Sequence, residues 1–362
     1  MTRTILEKIR IEGFRGFQEI ELDHLSPITL ISGKNNSGKS SLLEGIFLFL
    51  DHAAPDSFTK ISGFRGLNSS ADASLLWTFA FHEMKTDRKM KLAAVLNGEN
   101  CELTYFKDTE YVPRLEGLGF PDDVANQFIS SAKKTFSLGF TYQSENGYQE
   151  EGHLSASMNG VIRNITTNLD HNEIRDMPFG RFIDSQLSKN DSALAEMLGK
   201  VELQGEKNRA IDMLRMVEPS LSDLSTISNG GVIQVYARIA HQLYPLRLAG
   251  NGLNQLLYIG LSILENKNSI LLIDEIETGF HYSLYPEFWK VIAEFAGEHH
   301  CQIIATTHSY ECINGAVRGI REKNLSDSFS YYRIERNGSQ NIAQFYNLDL
   351  LDLAMKNEME VR

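Results

Sequence analysis

The chain has 362 residues, 42% hydrophobic, with a formal net charge of -12, enough apolar content for two or three compact units but no global pull toward nucleic acid, although a local basic groove can hide inside an acidic average. Its three cysteines, Cys101, Cys301 and Cys312, are isolated and odd in number, which argues against a disulfide framework and a thiolate zinc site. The first ten residues alternate charged and apolar side chains, and no apolar run approaches the roughly 20 residues that cross a bilayer, so a cytoplasmic protein with no membrane domain is expected.

In chain order, residues 5–11 alternate, residues 19–22 follow a Gly-Phe-Arg-Gly turn, and residues 28–31 are continuously apolar, which predicts three strands, the last of them buried. A glycine loop comes next, then a largely buried helix over 40–50. Residues 75–81, 90–96 and 102–106 read as strands separated by charged or Asn-Gly turns, hence an antiparallel subdomain. Between 110 and 220, helical patterns such as 193–198 and 207–217 are broken by glycines and by Pro113, Pro121, Pro178 and Pro219. No heptad repeat is sustained there, which argues against a long coiled-coil arm. A helix over 253–264, a strand over 269–273, a helix over 283–298 and a strand over 302–306 follow, the alternation of a parallel sheet covered on both faces. The chain closes with strands over 329–335 and 343–348 and a short helix.

Four segments carry chemistry. Gly33, Lys34, Asn35, Asn36, Ser37, Gly38, Lys39 and Ser40 match the phosphate-loop pattern GxxxxGK[ST] between a strand and a helix, with Ser41 following. The glycines let backbone N–H groups point at phosphate oxygens, Lys39 holds the β- and γ-phosphates, and Ser40 places its hydroxyl on Mg²⁺. Asp274 emerges at the carboxyl end of an apolar strand and is placed to hold Mg²⁺, with Glu275 beside it as the base for attacking water. Glu277 is weighed as a third functional carboxylate against a solvated turn residue and is given no catalytic role. His308 ends the neighbouring strand after Thr306 and Thr307, level with the Asp-Glu pair, where an imidazole can contact the γ-phosphate. Gly250, Asn251 and Gly252 open a helix as a second anion site, although Gly-Asn-Gly is also an ordinary capping turn. His52, His82, His153, His171, His241, His299 and His300 have no ligand spacing and read as surface or packing residues.

The ordered set resembles ABC-type ATPase heads, in the soluble branch of RecF, SMC-like proteins and the overcoming-lysogenization-defect nucleases. Residues 9–17 look like that branch's opening strand, 33–44 its phosphate loop, 274–281 the stretch from Walker B into the D-loop, and 306–309 its switch. The resemblance implies an α/β fold: a P-loop head with a mixed or parallel sheet, an antiparallel β subdomain and a helical insertion. Residues 1–60 and 236–362 are the two parts of the ATPase core, 61–110 the β subdomain and 111–235 a mostly helical insertion. It also implies ATP and Mg²⁺, and two heads that sandwich ATP, each site completed by the partner's signature turn. Here that turn is Gly250, Asn251 and Gly252, which lacks the usual serine. Gln127, Gln143 and Gln149 are unranked candidates for the Q-loop. The short length and altered signature look most like stand-alone ATPases of bacterial anti-phage (abortive-infection) systems. That resemblance implies a separately encoded effector, a nuclease or toxin; the 54 residues after His308 are too few for the nuclease domain that the overcoming-lysogenization-defect enzymes append there, so any nuclease activity is expected from a partner. A RecF- or SMC-like head that binds DNA ends is the alternative, with DNA as a further partner; a transporter subunit fits the altered signature poorly.

Overall fold

The computed structural model describes residues 4–52, 54, 56–66, 73–111, 137–157, 160–167, 178–183, 190–338 and 340–362. The first part of the chain runs β1 (Leu6–Phe14), β2 (Phe17–Leu22), β3 (Ile28–Gly33), α1 (Lys39–Leu50), α2 (Ser57–Gly63), α3 (Ala73–Ala80), β4 (Met90–Leu96), β5 (Glu99–Asp108), β6 (Ser137–Ser144), β7 (Gln149–Ser157), β8 (Gly160–Thr167) and β9 (Gly180–Ile183). It continues with α4 (Asp191–Leu203), α5 (Lys207–Arg215), β10 (Leu221–Asn229), β11 (Val232–Ile239), β12 (Gln242–Pro245), α6 (Leu246–Ala249), α7 (Asn251–Glu265) and β13 (Ile270–Ile273). The last part is α8 (Tyr285–Glu298), β14 (Gln302–Thr306), α9 (Tyr310–Glu322), β15 (Phe329–Asn337), β16 (Gln340–Asn347) and α10 (Leu348–Lys356).

Three sheets form. The central one has the order β16-β15-β3-β14-β13-β9 and is parallel except for β16. Strands β3, β13 and β14 are buried at every position, as their continuous apolar runs require of strands covered on both faces. Alternate side chains feed two cores: Leu271, Ile273, Ile303 and Ala305 pack with the helices of the C-terminal half, while Ile270, Leu272 and Ile304 pack with α1. On the α1 side lies the second sheet, seven antiparallel strands in the order β2-β1-β4-β5-β6-β7-β8. Helix α1 is buried from Ser41 to Leu50 because both sheets cover it, which is why its sequence is apolar on nearly every side, with Ser41 and Glu44 the buried polar exceptions. The third sheet, β10-β11-β12, is a small antiparallel meander.

Besides the apolar core they share, one buried side chain ties the two large sheets together. Gln302, fully buried at the start of β14, accepts hydrogen bonds at Oε1 from the backbone N–H groups of Ile5 (3.1 Å) and Leu6 (2.8 Å). Its amide donates to the carbonyls of Leu6 (2.8 Å) and Ser26 (3.1 Å).

Two expectations are corrected. Residues 75–81 are not a strand: Ala73–Ala80 is a helix that buries Leu76, Trp77 and Ala80 and leaves Leu75 and Phe79 about half exposed. A short apolar run has no periodicity of its own, and the spacing of its buried residues here is helical. Residues 111–235 are not mostly helical in their described part, which holds strands β6 to β11 beside only α4 and α5. The polar outer face of β6 and β7 dilutes their apolar signal. Both helices fall where the periodicity predicted them, and Asn97 and Gly98, with φ of 52° and 83°, make the tight turn read between β4 and β5.

Candidate nucleotide site

Parallel register brings three loops together. Ile31 of β3 pairs with Thr306 of β14, and Ala305 pairs with Ile273 of β13, so Gly33, Asp274 and Thr307 leave the sheet at one edge. Ligands of open α/β sheets bind at such carboxyl ends.

The loop after β3 is shaped by what surrounds it. At Gly33 (φ 151°) a Cβ would lie 2.4 Å from the Ile334 carbonyl oxygen and 2.7 Å from Ser37 Oγ, and at Gly38 (φ 102°) it would lie 2.6 Å from the Phe17 ring. Neither position tolerates a side chain, so β15 and β2 set the loop's curl. Lys39 Nζ donates to the carbonyls of Gly33 (2.7 Å) and Lys34 (3.2 Å), which folds the ammonium back over the loop. Burial pushes this ammonium's pKa down, and the charges of Asp274, Glu277 and Glu275 oppose that shift. Ser37 Oγ is buried without a hydrogen-bond partner inside the same loop. A cationic group near carboxylates, beside an unsatisfied hydroxyl in a glycine loop that opens a helix, fits a polyphosphate. Asn35 and Asn36 are exposed, and Asn36 takes a left-handed φ of 64°.

Strand β14 fixes the acidic pair. The Thr306 hydroxyl donates to Asp274 Oδ1 and accepts the Glu275 N–H (2.9 Å), while the Thr306 carbonyl accepts the Ile276 N–H (3.0 Å). From the other side, the Asp274 N–H donates to the Ile183 carbonyl of β9 (2.9 Å). Glu275 is exposed and held at φ 51°, a left-handed conformation that a neighbouring strand must maintain. Among the described residues no cluster of three or more His, Cys, Asp or Glu can hold a metal alone. Ser40 and Asp274 would hold Mg²⁺ only with phosphate oxygens and water completing the shell, the usual arrangement for this ion.

The side chain of His308 is 52% exposed, and Glu277 is buried beneath it. Sequence reasoning weighs Glu277 but assigns it no catalytic role, reads Thr306 only as part of the switch segment, and does not foresee the cluster of Arg15, Glu44 and Arg65. Glu44 is 1% exposed on α1, receives Arg15 (2.7 Å) and Arg65 (2.6 Å), and has its pKa raised by burial against the lowering influence of both arginines. Arg65 Nη2 also donates to Ser41 Oγ (2.9 Å), so Ser41 is engaged by this cluster. The glycine turn at 250–252 packs on its own chain: a Cβ on Gly252 would lie 2.9 Å from the Phe280 ring, and Gly279 stands against Asn251. Gly250 opens α7 at φ 137° without a side-chain cap. Gln143 and Gln149 line a cavity of about 470 Å³ with Lys8 and Arg10 on the outer face of the seven-stranded sheet, and no phosphate-loop residue lines it. Gln127 and His171 lie outside the described residues.

Fold and site together define an ATP-hydrolysing P-loop enzyme, with ATP as substrate. The family described as "AAA ATPase domain" matches residues 5–194 and 157–313, and the chain belongs to it. An ATP/GTP phosphatase of Helicobacter pylori is 21% identical across 98% of this chain and 99% of its own length. RecF, a DNA replication and repair protein, from Francisella tularensis subsp. mediasiatica is 35% identical over 77 residues, 21% of each protein. Among solved structures, an SMC head bound to the C-terminal winged-helix domain of ScpA superposes with a TM-score of 0.52 at 13% identity, covering 96% of this chain and 99% of that one, a likeness of fold. No helix among the described residues is long and apolar enough to cross a membrane.

Proposed function

We propose that hydrolysis is Mg²⁺-dependent and that ATP draws two heads together to control a separately encoded effector, a nuclease or toxin, in bacterial anti-phage defence. The observation that carries the chemical part is the convergence of Lys39 with Asp274, Glu275 and Glu277 at one edge of the sheet. The loop amides, Lys39, Asn35, Asn36, Ser37 and Ser41 bind the nucleotide, Ser40 and Asp274 hold the metal, Glu275 accepts the proton of the attacking water, and His308 contacts the γ-phosphate. Bound there, Mg²⁺ would neutralise charge developing on the phosphate oxygens. The turn of Gly250, Asn251 and Gly252 supports pairing, because it opens α7 without a side-chain cap and a helix N-terminus suits the phosphates of a second subunit. The defence role rests on the resemblance of this turn to those of stand-alone ATPases.

Lys39→Ala is expected to abolish ATP binding. Glu275→Gln is expected to keep it while slowing hydrolysis by about 10²–10⁴-fold, the usual worth of a positioned base. Equal loss of binding and turnover in Glu275→Gln removes the base assignment, and normal turnover in Lys39→Ala removes the site. The ATP-loaded Glu275→Gln protein is expected to sediment as a pair of heads and to retain the product of an adjacent gene. The 77-residue likeness to RecF favours a second reading, a DNA-end-binding repair ATPase. ATP-stimulated DNA binding that weakens steeply with salt would establish it.

A further inference from the structure

Glu277 lies in a turn but is not a solvated turn residue. It is 7% exposed, and a single oxygen, Oε1, accepts the backbone N–H of His308 (2.8 Å) and stands 2.8 Å from the Nδ1 of the same residue. Two donors of one residue on one oxygen determine both the path of the peptide and the rotation of the ring. The backbone that carries this carboxylate is held on both sides: the Ile276 N–H donates to the Thr306 carbonyl (3.0 Å), and the buried Tyr285 hydroxyl donates to the Glu277 main-chain carbonyl (3.4 Å). An acceptor on Nδ1 keeps the ring proton there and leaves Nε2 as the free nitrogen of a half-exposed imidazole.

We infer that Glu277 is the positioning residue of His308, setting its tautomer and orientation so that Nε2 meets the γ-phosphate and its attacking water. This rests on the reading of His308 as the γ-phosphate contact. The second carboxylate oxygen, Oε2, is buried and unpartnered, so neither solvation nor a second ion pair accounts for a glutamate here. The backbone bond and the ring bond on Oε1 do account for it. Carboxylates that orient a working histidine recur in unrelated enzymes because the imidazole alone has two tautomers and a freely turning ring.

A double-mutant cycle in ATP turnover tests the coupling. His308→Ala is expected to lower kcat, and Glu277→Ala to lower it about 10–100-fold, the usual effect of removing such an orienting group, with ATP binding unchanged. The double variant is expected to be no slower than His308→Ala alone. Glu277→Gln, whose side-chain oxygen can accept both bonds, is expected to recover most of the rate. If the two losses multiply instead, or if Glu277→Ala turns over normally, the positioning role is overturned. If His308→Ala itself turns over normally, the underlying reading of His308 has failed, and with it the inference. Because truncating a buried carboxylate can unfold the chain, the wild-type protein supplies a second measurement. Nitrogen-15 NMR of histidine-labelled protein should find His308 protonated at Nδ1, and an Nε2–H tautomer would overturn the inference.

Discussion

Thr306→Val isolates the hydroxyl that fixes the acidic pair. Valine preserves the shape of this fully buried side chain but can neither donate to Asp274 nor accept from Glu275. The Glu275 N–H would be left beneath a methyl group, at a cost of about 1–3 kcal/mol for an orphaned buried donor. The bond to Asp274 is charge-assisted, worth about 1.5–3 kcal/mol, but Asp274 is only half-buried and regains much of this from water. A net loss of about 2 kcal/mol in stability follows. Glu275 is also released from its φ of 51°, a conformation costing about 1–2 kcal/mol without support. If relaxation takes Glu275, the proposed base, out of line at an expense of about 1.4 kcal/mol or more in the transition state, kcat falls at least about tenfold. Urea unfolding followed by circular dichroism, paired with steady-state phosphate release, measures both effects. Thr306→Ser keeps the hydroxyl and should behave nearly as wild type. A valine variant that unfolds at the wild-type midpoint and turns over at the wild-type rate refutes the reasoning, as does a serine variant as damaged as the valine one.

Glu44→Ala leaves the guanidinium of Arg15 buried and without its carboxylate, a loss of about 3–5 kcal/mol that chemical denaturation would detect. Arg15 already has its pKa pushed down to about 10 by burial, so it tolerates little further isolation. Gly38→Ala forces a methyl group into the Phe17 ring at φ 102°, and should weaken ATP binding measured by calorimetry far more than Ala at the open turn of Gly98. Asp352 is held below its ordinary 3.8 by Lys356 and Arg321. Its folded value is therefore lower than its unfolded one, so its stabilisation is present above about pH 4 and lost as pH falls through the folded value. Acid unfolding of Asp352→Asn should lack that part of the decline, and an unchanged acid limb would contradict the pairing.

What could be read from the chain follows from how local each signal is. Gly33, Lys39 and Ser40 sit within eight consecutive residues, and the apolar runs ending at Ile31, Ile273 and Thr306 announce buried parallel strands without any partner being known. The central sheet and the grouping of the phosphate loop with the Asp274 pair were therefore legible. Glu277 was not, because its partner is 31 residues away and a glutamate before a glycine looks like a solvated turn until His308 is brought above it. Thr306 was hidden for the same reason: its importance lies in a cross-strand bond to Asp274, 32 residues distant. The helix at 73–80 was misread because Leu75 to Phe81 is apolar almost throughout, and only packing decides which of those side chains turn inward. The strands β6 to β8 escaped because they complete a sheet whose other strands, β1, β2, β4 and β5, come from earlier in the chain, so their pairing is not a local signal.

Gln302 binds residues 5, 6 and 26 to a strand that is made nearly three hundred positions later. At roughly 5–20 residues per second of synthesis, the finished phosphate loop waits on the order of 15–60 s for the strand that levels it with its acidic partners. Throughout that interval the ribosome displays β3 with no β14 or β15 beside it, an apolar edge open to foreign strands. The nascent chain is thus both unable to turn over nucleotide and most in need of shielding by chaperones, so catalytic competence arrives late and all at once.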